Sequence, residues 1–292
     1  MNKNNNIAGY LFISPWLLGF LLLSLWPILQ SFYLSFTDYS LLEAPQWVGL
    51  DNYRGIFGDS LFYKSLAVTF TFVFVSVPLK LAFSLLVAML LNGNLRGMNL
   101  YRTAFYFPSL IGGSIAVSVL WRNMFGMDGY VNKLLSWIGI EGIGWISHPD
   151  TALSTLILLN VWQFGSTMVI FLAGLKQIPR ELYESANVDG ANAFRRFFSI
   201  TLPMLSPVMF FNLILGMINS FQMFTSAFII TKGGPANATY TYALFLYEKA
   251  FDQFQMGYAS ALAWILLIII AVFTLINFMF SKHWVFYESE GR

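Results

Sequence analysis

Two groups of neutral hydrogen-bonding side chains stand inside otherwise apolar stretches. One is Asn160, Gln163, Ser166 and Thr167; the other is Asn212, Asn219, Ser220, Gln222, Thr225 and Ser226. Asn160, Gln163 and Thr167 fall at i, i+3 and i+7 and share one face of a helix, and Asn219, Gln222 and Ser226 repeat the spacing. The aromatics Trp162, Phe164, Phe221 and Phe224 are interleaved with them. Amides and hydroxyls supply donors and acceptors while ring faces take C–H groups, which is the chemistry that suits a sugar. No Asp or Glu lies in these stretches, which argues against a path for cations. The same side chains also suit a plainer role, joining helix to helix at about 0.6 kcal/mol each. Lys80, two residues after Pro78, is the one charge in the middle of an apolar stretch. It can cap carbonyls freed by Pro78 and snorkel, face an acid of a partner chain, or bind an acidic substrate such as a uronate oligomer.

A second constellation lies in the polar segment 176–206. Pro179 suits the first position of a helix, with Glu181 and Glu184 near its N-terminal dipole. Leu182, Tyr183 and Ala186 give it one apolar face, and Asp189-Gly190 is a turn signal. A second short helix is expected next, with Phe194, Phe197, Phe198 and Thr201 on one face, before Pro203 and Pro207 punctuate the following stretch. Two short helices at a right-angle turn make a rigid knob. Its small residues Ala186, Gly190 and Ala191 let another protein approach closely.

These groups must be positioned by membrane helices. Of the 292 residues 57% are hydrophobic and 10% charged, and mean hydropathy is +0.65. An average soluble domain has about 25% charged residues, so the composition excludes an ordinary soluble enzyme, a disordered chain and a nucleic-acid binder. The formal net charge of +2 is too small to imply a partner. With no cysteine and only His148 and His283, no disulfide, thiol chemistry or metal site is expected. Six spans are expected, at residues 9–36, 66–91, 104–125, 152–175, 207–231 and 257–281, in one all-α domain over 1–292. The first is too long for a signal peptide and is interrupted by Pro15 and Pro27, so it reads as a mature helix. No acid falls in any span, and besides Lys80 only Arg122, at one end, is basic. Trp16, Trp26, Trp121, Trp145 and Trp284 fall near span ends, where amphipathic rings prefer to sit. Segment 130–140 places Val131, Leu134, Leu135 and Ile138 at the spacing of a short surface helix. Nine Lys and Arg occupy the two tails and the loops 92–103 and 176–206, against five in the remaining loops. Positive charge favours the cytoplasm, so both termini and the knob are expected on that side of the cell membrane.

Glu184-Ser185-Ala186, Gly190 and Ile200-Thr201-Leu202-Pro203 match the spacing of the EAA motif of binding-protein-dependent ABC import permeases, with Ser185 for an alanine. Other stretches resemble the carbohydrate branch of that family, in particular its maltose-permease-like first subunit. They are Val48-Gly49-Leu50-Asp51-Asn52-Tyr53, Leu95-Arg96-Gly97 with Tyr101-Arg102, Gly233-Gly234-Pro235-Ala236-Asn237-Ala238-Thr239, and Gly257-Tyr258-Ala259-Ser260-Ala261. The resemblance covers nearly the whole chain and implies the transmembrane-subunit fold of a type I importer.

It also implies roles. Glu184, Ser185, Ala186, Asp189, Gly190 and Ala191 would form a coupling helix docked on an ATP-binding subunit. Arg195 and Arg196 can pair with acidic groups there or with lipid headgroups. Substrate contacts would come from Asn160, Gln163, Phe164 and Thr167, from Ser220, Gln222 and Met223, and from Ser109 and Gly113. Gln163, Phe164 and Thr167 depart from the residue types of the maltose subunit, which leaves the sugar open. The implied partners are a second homologous permease, two ATP-binding subunits, an extracytoplasmic solute-binding protein and a carbohydrate. The chain has no phosphate-binding loop, so ATP and Mg would belong to the partner subunits and this subunit would be non-catalytic. The competing readings are a permease for another solute such as glycerol phosphate, a secondary transporter and a polytopic membrane enzyme. Secondary transporters usually carry intramembrane acids or an inverted repeat, and neither is seen. An enzyme would need a catalytic cluster at a membrane face.

Overall fold

A computed structural model describes residues 3–93 and 97–286. Leu95 and Arg96, part of one family-like stretch, lie outside the described residues. The chain is built from helices. We number them α1 (Leu11–Leu34), α2 (Asp51–Gly58), α3 (Ser60–Leu90), α4 (Met98–Ile111), α5 (Ile115–Met124), α6 (Tyr130–Trp137), α7 (Pro149–Trp162), α8 (Gly165–Gln177), α9 (Arg180–Val188), α10 (Ala193–Phe221), α11 (Tyr242–Tyr247) and α12 (Met256–Ser281). Four of these, α1, α3, α10 and α12, are each long and apolar enough to cross a membrane. The pairs α4–α5 and α7–α8 bring the number to six if each pair is one broken span.

The chain divides into two compact units. One comprises residues 1–62 and 246–268. Here α1 leads into a two-stranded antiparallel ribbon, β1 (Thr37–Asp38) with β2 (Gln46–Trp47), in which Thr37 pairs with Trp47. The family-like stretch 48–53 ties the ribbon down. Asn52 Nδ2 donates to the carbonyls of Ser35 and Thr37 at 2.9 Å, and Tyr53 donates to Ser35 Oγ at 2.9 Å. A Cβ on Gly257 would meet the Thr37 carbonyl, so the start of α12 sits too close to β1 for any side chain. Lys249 pairs with Asp59 at 3.7 Å, and Tyr258 donates to the same carboxylate at 3.4 Å.

The other unit comprises residues 63–245 and 269–292. One of its apolar clusters gathers Leu85, Ala88, Phe164, Met168, Phe171, Leu175 and Leu205. Another gathers Phe72, Trp121, Leu156, Leu159, Ala227 and Ile230. The helix α8 crosses α4 and α10 at glycines. A Cβ on Gly165 would lie 2.6 Å from the Phe105 carbonyl, and one on Gly174 2.9 Å from a Leu205 methyl. Arg102, in another family-like stretch, donates to the Leu91 and Gly93 carbonyls at 2.8 and 3.3 Å and so caps the end of α3. The short helix α6 forms as the spacing predicts. It is held less by its apolar face than by Asn132, which donates to Met127 and Ile143 carbonyls and accepts from Trp145 Nε1.

The expected continuity of three spans is corrected. Span 104–125 is two helices bent by 99° at Gly112–Ser114, and span 152–175 is two bent by 44° at Gln163–Phe164. Span 207–231 begins earlier, at Ala193, and its helix stops at Phe221. The signals lay in the sequence: Gly112-Gly113 has no side chain to hold a helix, and Ser114 caps the next one by accepting from Val117 N. The expected separate second helix of the knob is likewise corrected, because α10 runs from it straight through Pro203 and Pro207. A π-helical turn at Phe197–Thr201 and the Ser206 hydroxyl, which donates to the Pro203 carbonyl at 2.6 Å, take up the bonds the prolines cannot make.

Candidate functional site

The three helix breaks occur where the polar side chains are concentrated. Broken backbone deep in a membrane protein must be buried in protein or line a cavity, and both solutions are present. Gln163 Nε2 donates to the Gly112 carbonyl at 3.0 Å, so a side chain at the second break satisfies backbone at the first. The Thr241 hydroxyl donates to the Met223 carbonyl at 3.1 Å at the third. Ser166 donates to Ser109 Oγ at 3.1 Å, and Ser109 to the Tyr106 carbonyl at 2.7 Å.

Two cavities open among these helices. One, of about 240 Å³, is lined by Lys80, Ser109, Asn160, Gln163, Ser166, Thr167, Asn212, Asn219 and Ser220, with Val77, Leu81, Ile170, Leu215 and Gly216. The second, of about 320 Å³, is lined by Gly112, Gly113, Ser118, Gln222, Met223, Phe224, Thr225 and Ser226 beside Lys80, Asn160, Gln163 and Asn219. Those last four side chains are shared, so the cavities meet there. Asn160 Oδ1 is a buried acceptor without a hydrogen-bond partner. An unpaired buried acceptor costs about 1–3 kcal/mol.

Of the residues expected along the substrate path, Asn160, Gln163, Thr167, Ser220, Gln222, Met223, Ser109 and Gly113 all line one cavity or the other. Phe164 does not. Its ring packs edge-on against Phe83 at 4.8 Å in the apolar core, and its carbonyl accepts from Ser84 at 3.2 Å. Trp162 and Phe221 also turn away, toward Trp121 and toward Phe70 and Phe273. Of the interleaved rings only Phe224 faces a cavity. Both sets spaced i, i+3 and i+7 line a cavity although α7 ends at Trp162 and α10 at Phe221. Gly112 and Ser118 were missed, because their part depends on the break at Gly112–Ser114.

The knob is built differently. Gly190 has φ +72° and ends α9 in a double closure: Ala191 N donates to the Ala186 carbonyl at 2.8 Å and Gly190 N to Asn187 at 3.1 Å. Asn192 then caps α10, its side chain accepting from Arg195 N at 2.8 Å. Arg196 donates to Asn187 Oδ1 across the turn, and Tyr183 and Thr201 share a hydrogen bond at 2.9 Å. Glu184, Ser185, Asp189 and Gly190 are exposed, and Ala186 and Ala191 half-buried. Val188 is 88% and Phe194 73% exposed beside them. The single aromatic face expected here is split. Thr201 is buried and Phe197 packs on the core, while Phe194 and Phe198 point outward, because the π-helical turn interrupts the α-helical repeat.

A polar cavity at broken membrane helices, with an exposed two-helix knob on the same unit, is the arrangement of a transport subunit that works with partners. Residues 55–285 match the binding-protein-dependent transport system inner membrane component family, and the chain belongs to it. It is 53% identical to the probable ABC transporter permease protein YesP of Bacillus subtilis, over 99% of this chain and 94% of that protein. It is 34% identical to the lactose transport system permease protein LacF of Rhizobium radiobacter, over 97% and 96%. Its fold matches, with TM-score 0.84 and 22% identity over 96% of both chains, a chain of a bacterial ABC transporter involved in the import of the acidic polysaccharide alginate. The expected all-α importer fold and the family resemblance are thereby shown. A secondary transporter and a membrane enzyme are set aside, and the chain is a non-catalytic subunit of an inner-membrane transport system.

Proposed function

We propose that the chain forms half of the translocation path of an ATP-driven importer for an oligosaccharide. The observation that supports this most is the pair of joined cavities where amides, hydroxyls, one ring and Lys80 stand among aliphatic side chains. Such a wall exchanges hydrogen bonds with sugar hydroxyls at little cost. Relatives named for lactose and for arabinooligosaccharides support the same cargo class. A permease for another solute, such as glycerol phosphate, is the second reading. It would call for a cluster of cations around a phosphate, and the cavity wall holds one.

The proposed assembly has a second homologous permease, two ATP-hydrolysing subunits below and an extracytoplasmic binding protein above, with both termini cytoplasmic. In the proposed cycle ATP closes the ATPase pair and draws the two knobs together. Each knob then pulls on α10, with which it is continuous, and the cavity opens outward to receive the sugar. The chain binds no nucleotide or metal; ATP and Mg sit in the partners. All 292 residues act as one permease domain. The test is uptake of labelled oligosaccharides by cells whose only importer is the complete complex. Uptake and binding-protein-stimulated ATP hydrolysis are expected to disappear together when this chain is omitted. Hydrolysis that remains stimulated without it would overturn the reading.

A further inference from the structure

Lys80 stands where the two cavities meet, as one of the four side chains they share; the other three are the amides of Asn160, Gln163 and Asn219. Among the described residues it is the only ionisable side chain lining either cavity. The ion pairs of Arg54 with Asp51 and of Lys249 with Asp59 do not involve Lys80. Its backbone carbonyl is taken by the Ser84 hydroxyl at 2.6 Å, but its ammonium makes no hydrogen bond to a described residue. Capping of a carbonyl freed by Pro78 is therefore not what holds it. Snorkelling does not describe it either. Ten residues, roughly 15 Å of helix, separate Lys80 from the end of α3 at Leu90, and its side chain lines a cavity instead. A lone ammonium deep in a membrane protein is costly unless it faces a water-filled path or a counter-charge.

We propose that Lys80 selects for a carboxylated saccharide, its ammonium pairing with a uronate carboxylate while the neighbouring amides take the ring hydroxyls. This rests on the reading of the cavities as a sugar path. One point charge flanked by neutral amides matches a monoanionic carboxylate. A phosphate dianion is usually met by several charged donors or an arginine fork, and neither lines these cavities.

The test uses cells in which the complete importer is the only route for oligosaccharides. Two probe sets are compared: oligouronates of mixed sugar type, and the same set after carboxyl reduction to neutral sugars. Uptake is normalised to assembled complex. The wild type is expected to take up the charged set. Lys80→Met is expected to lower the ratio of charged to neutral uptake tenfold or more, and Lys80→Arg to keep it within threefold. An unchanged ratio in Lys80→Met, equal loss of both sets, or a wild type that accepts only neutral sugars overturns the proposal and leaves the carbohydrate reading standing. A wild type that takes up neither set overturns both.

Discussion

The cavity wall and the knob were both singled out by residue type, yet they are ordered by opposite means. In the wall, polar side chains satisfy one another and the backbone across helix breaks, as Gln163 does for Gly112 and Thr241 for Met223. At the helix crossing beside it Gly165 is forced by a neighbour, because another helix backbone is already in contact. In the knob, most groups are exposed and a few local bonds set the shape. Its one essential glycine is forced by conformation, since nothing lies within 4 Å of a Cβ on Gly190. The wall's hydrogen bonds close between helices of this one chain. A knob that fits a partner keeps its binding groups uncommitted until the partner arrives.

Adding bulk at each glycine separates these two kinds of order. Gly165→Val would drive a side chain into the Phe105 carbonyl and the Tyr106 Cα, which only movement of α4 against α8 can relieve. Overpacking of this sort costs about 1–3 kcal/mol or more. The expected result is a large loss of folded protein in the membrane and a lower melting temperature of the purified transporter. A normal melting temperature would show that the crossing is looser than the wall requires.

Gly190→Val meets no neighbour but must place a β-branched residue at φ +72°. The left-handed conformation costs roughly 1–2 kcal/mol, and the turn re-forms to avoid it. The chain is expected to insert normally, with uptake falling more than tenfold and the ATP-binding subunits co-purifying poorly. Gly190→Asn, which tolerates that conformation better, is expected to retain most uptake. If the valine variant couples normally, the turn is not the docking element and the contrast between the regions fails.

How far each region was legible follows from the same contrast. The knob was readable because its determinants are local: Asp189-Gly190 as a turn, and small residues at fixed offsets. Even there the continuity of α10 was missed, since Pro203 and Pro207 read as breaks until the π-helical turn and Ser206 are seen to absorb them. In the wall, residue type gave the polar members, but the breaks at Gly112–Ser114 and Gln163–Phe164 interrupt the helical periodicity by which the spans were read. Phe164 shows the limit. Its place between Asn160 and Thr167 suggested a cavity ring, and packing against Phe83 turned it into core.

The smallest expected effect lies where the regions meet. The Tyr183 hydroxyl on α9 and Thr201 on α10 bond at 2.9 Å, linking the knob's first helix to the helix that carries Asn212, Asn219 and Ser220 into the wall. Tyr183→Phe removes one neutral hydrogen bond, worth about 0.5–1.5 kcal/mol. Thr201 Oγ1 keeps a weaker contact with the Arg196 carbonyl at 3.5 Å, which places the loss at the low end. A cycle of Tyr183→Phe and Thr201→Val on the assembled transporter is expected to show coupling of about 0.5 kcal/mol in stability. A less than twofold rise in ATP hydrolysed per sugar moved should accompany it. The second readout sharpens the comparison, because a bond that only stabilises α9 would change the melting temperature and leave the hydrolysis ratio alone. Strict additivity of the two substitutions would mean that knob and wall are joined through the α10 backbone alone.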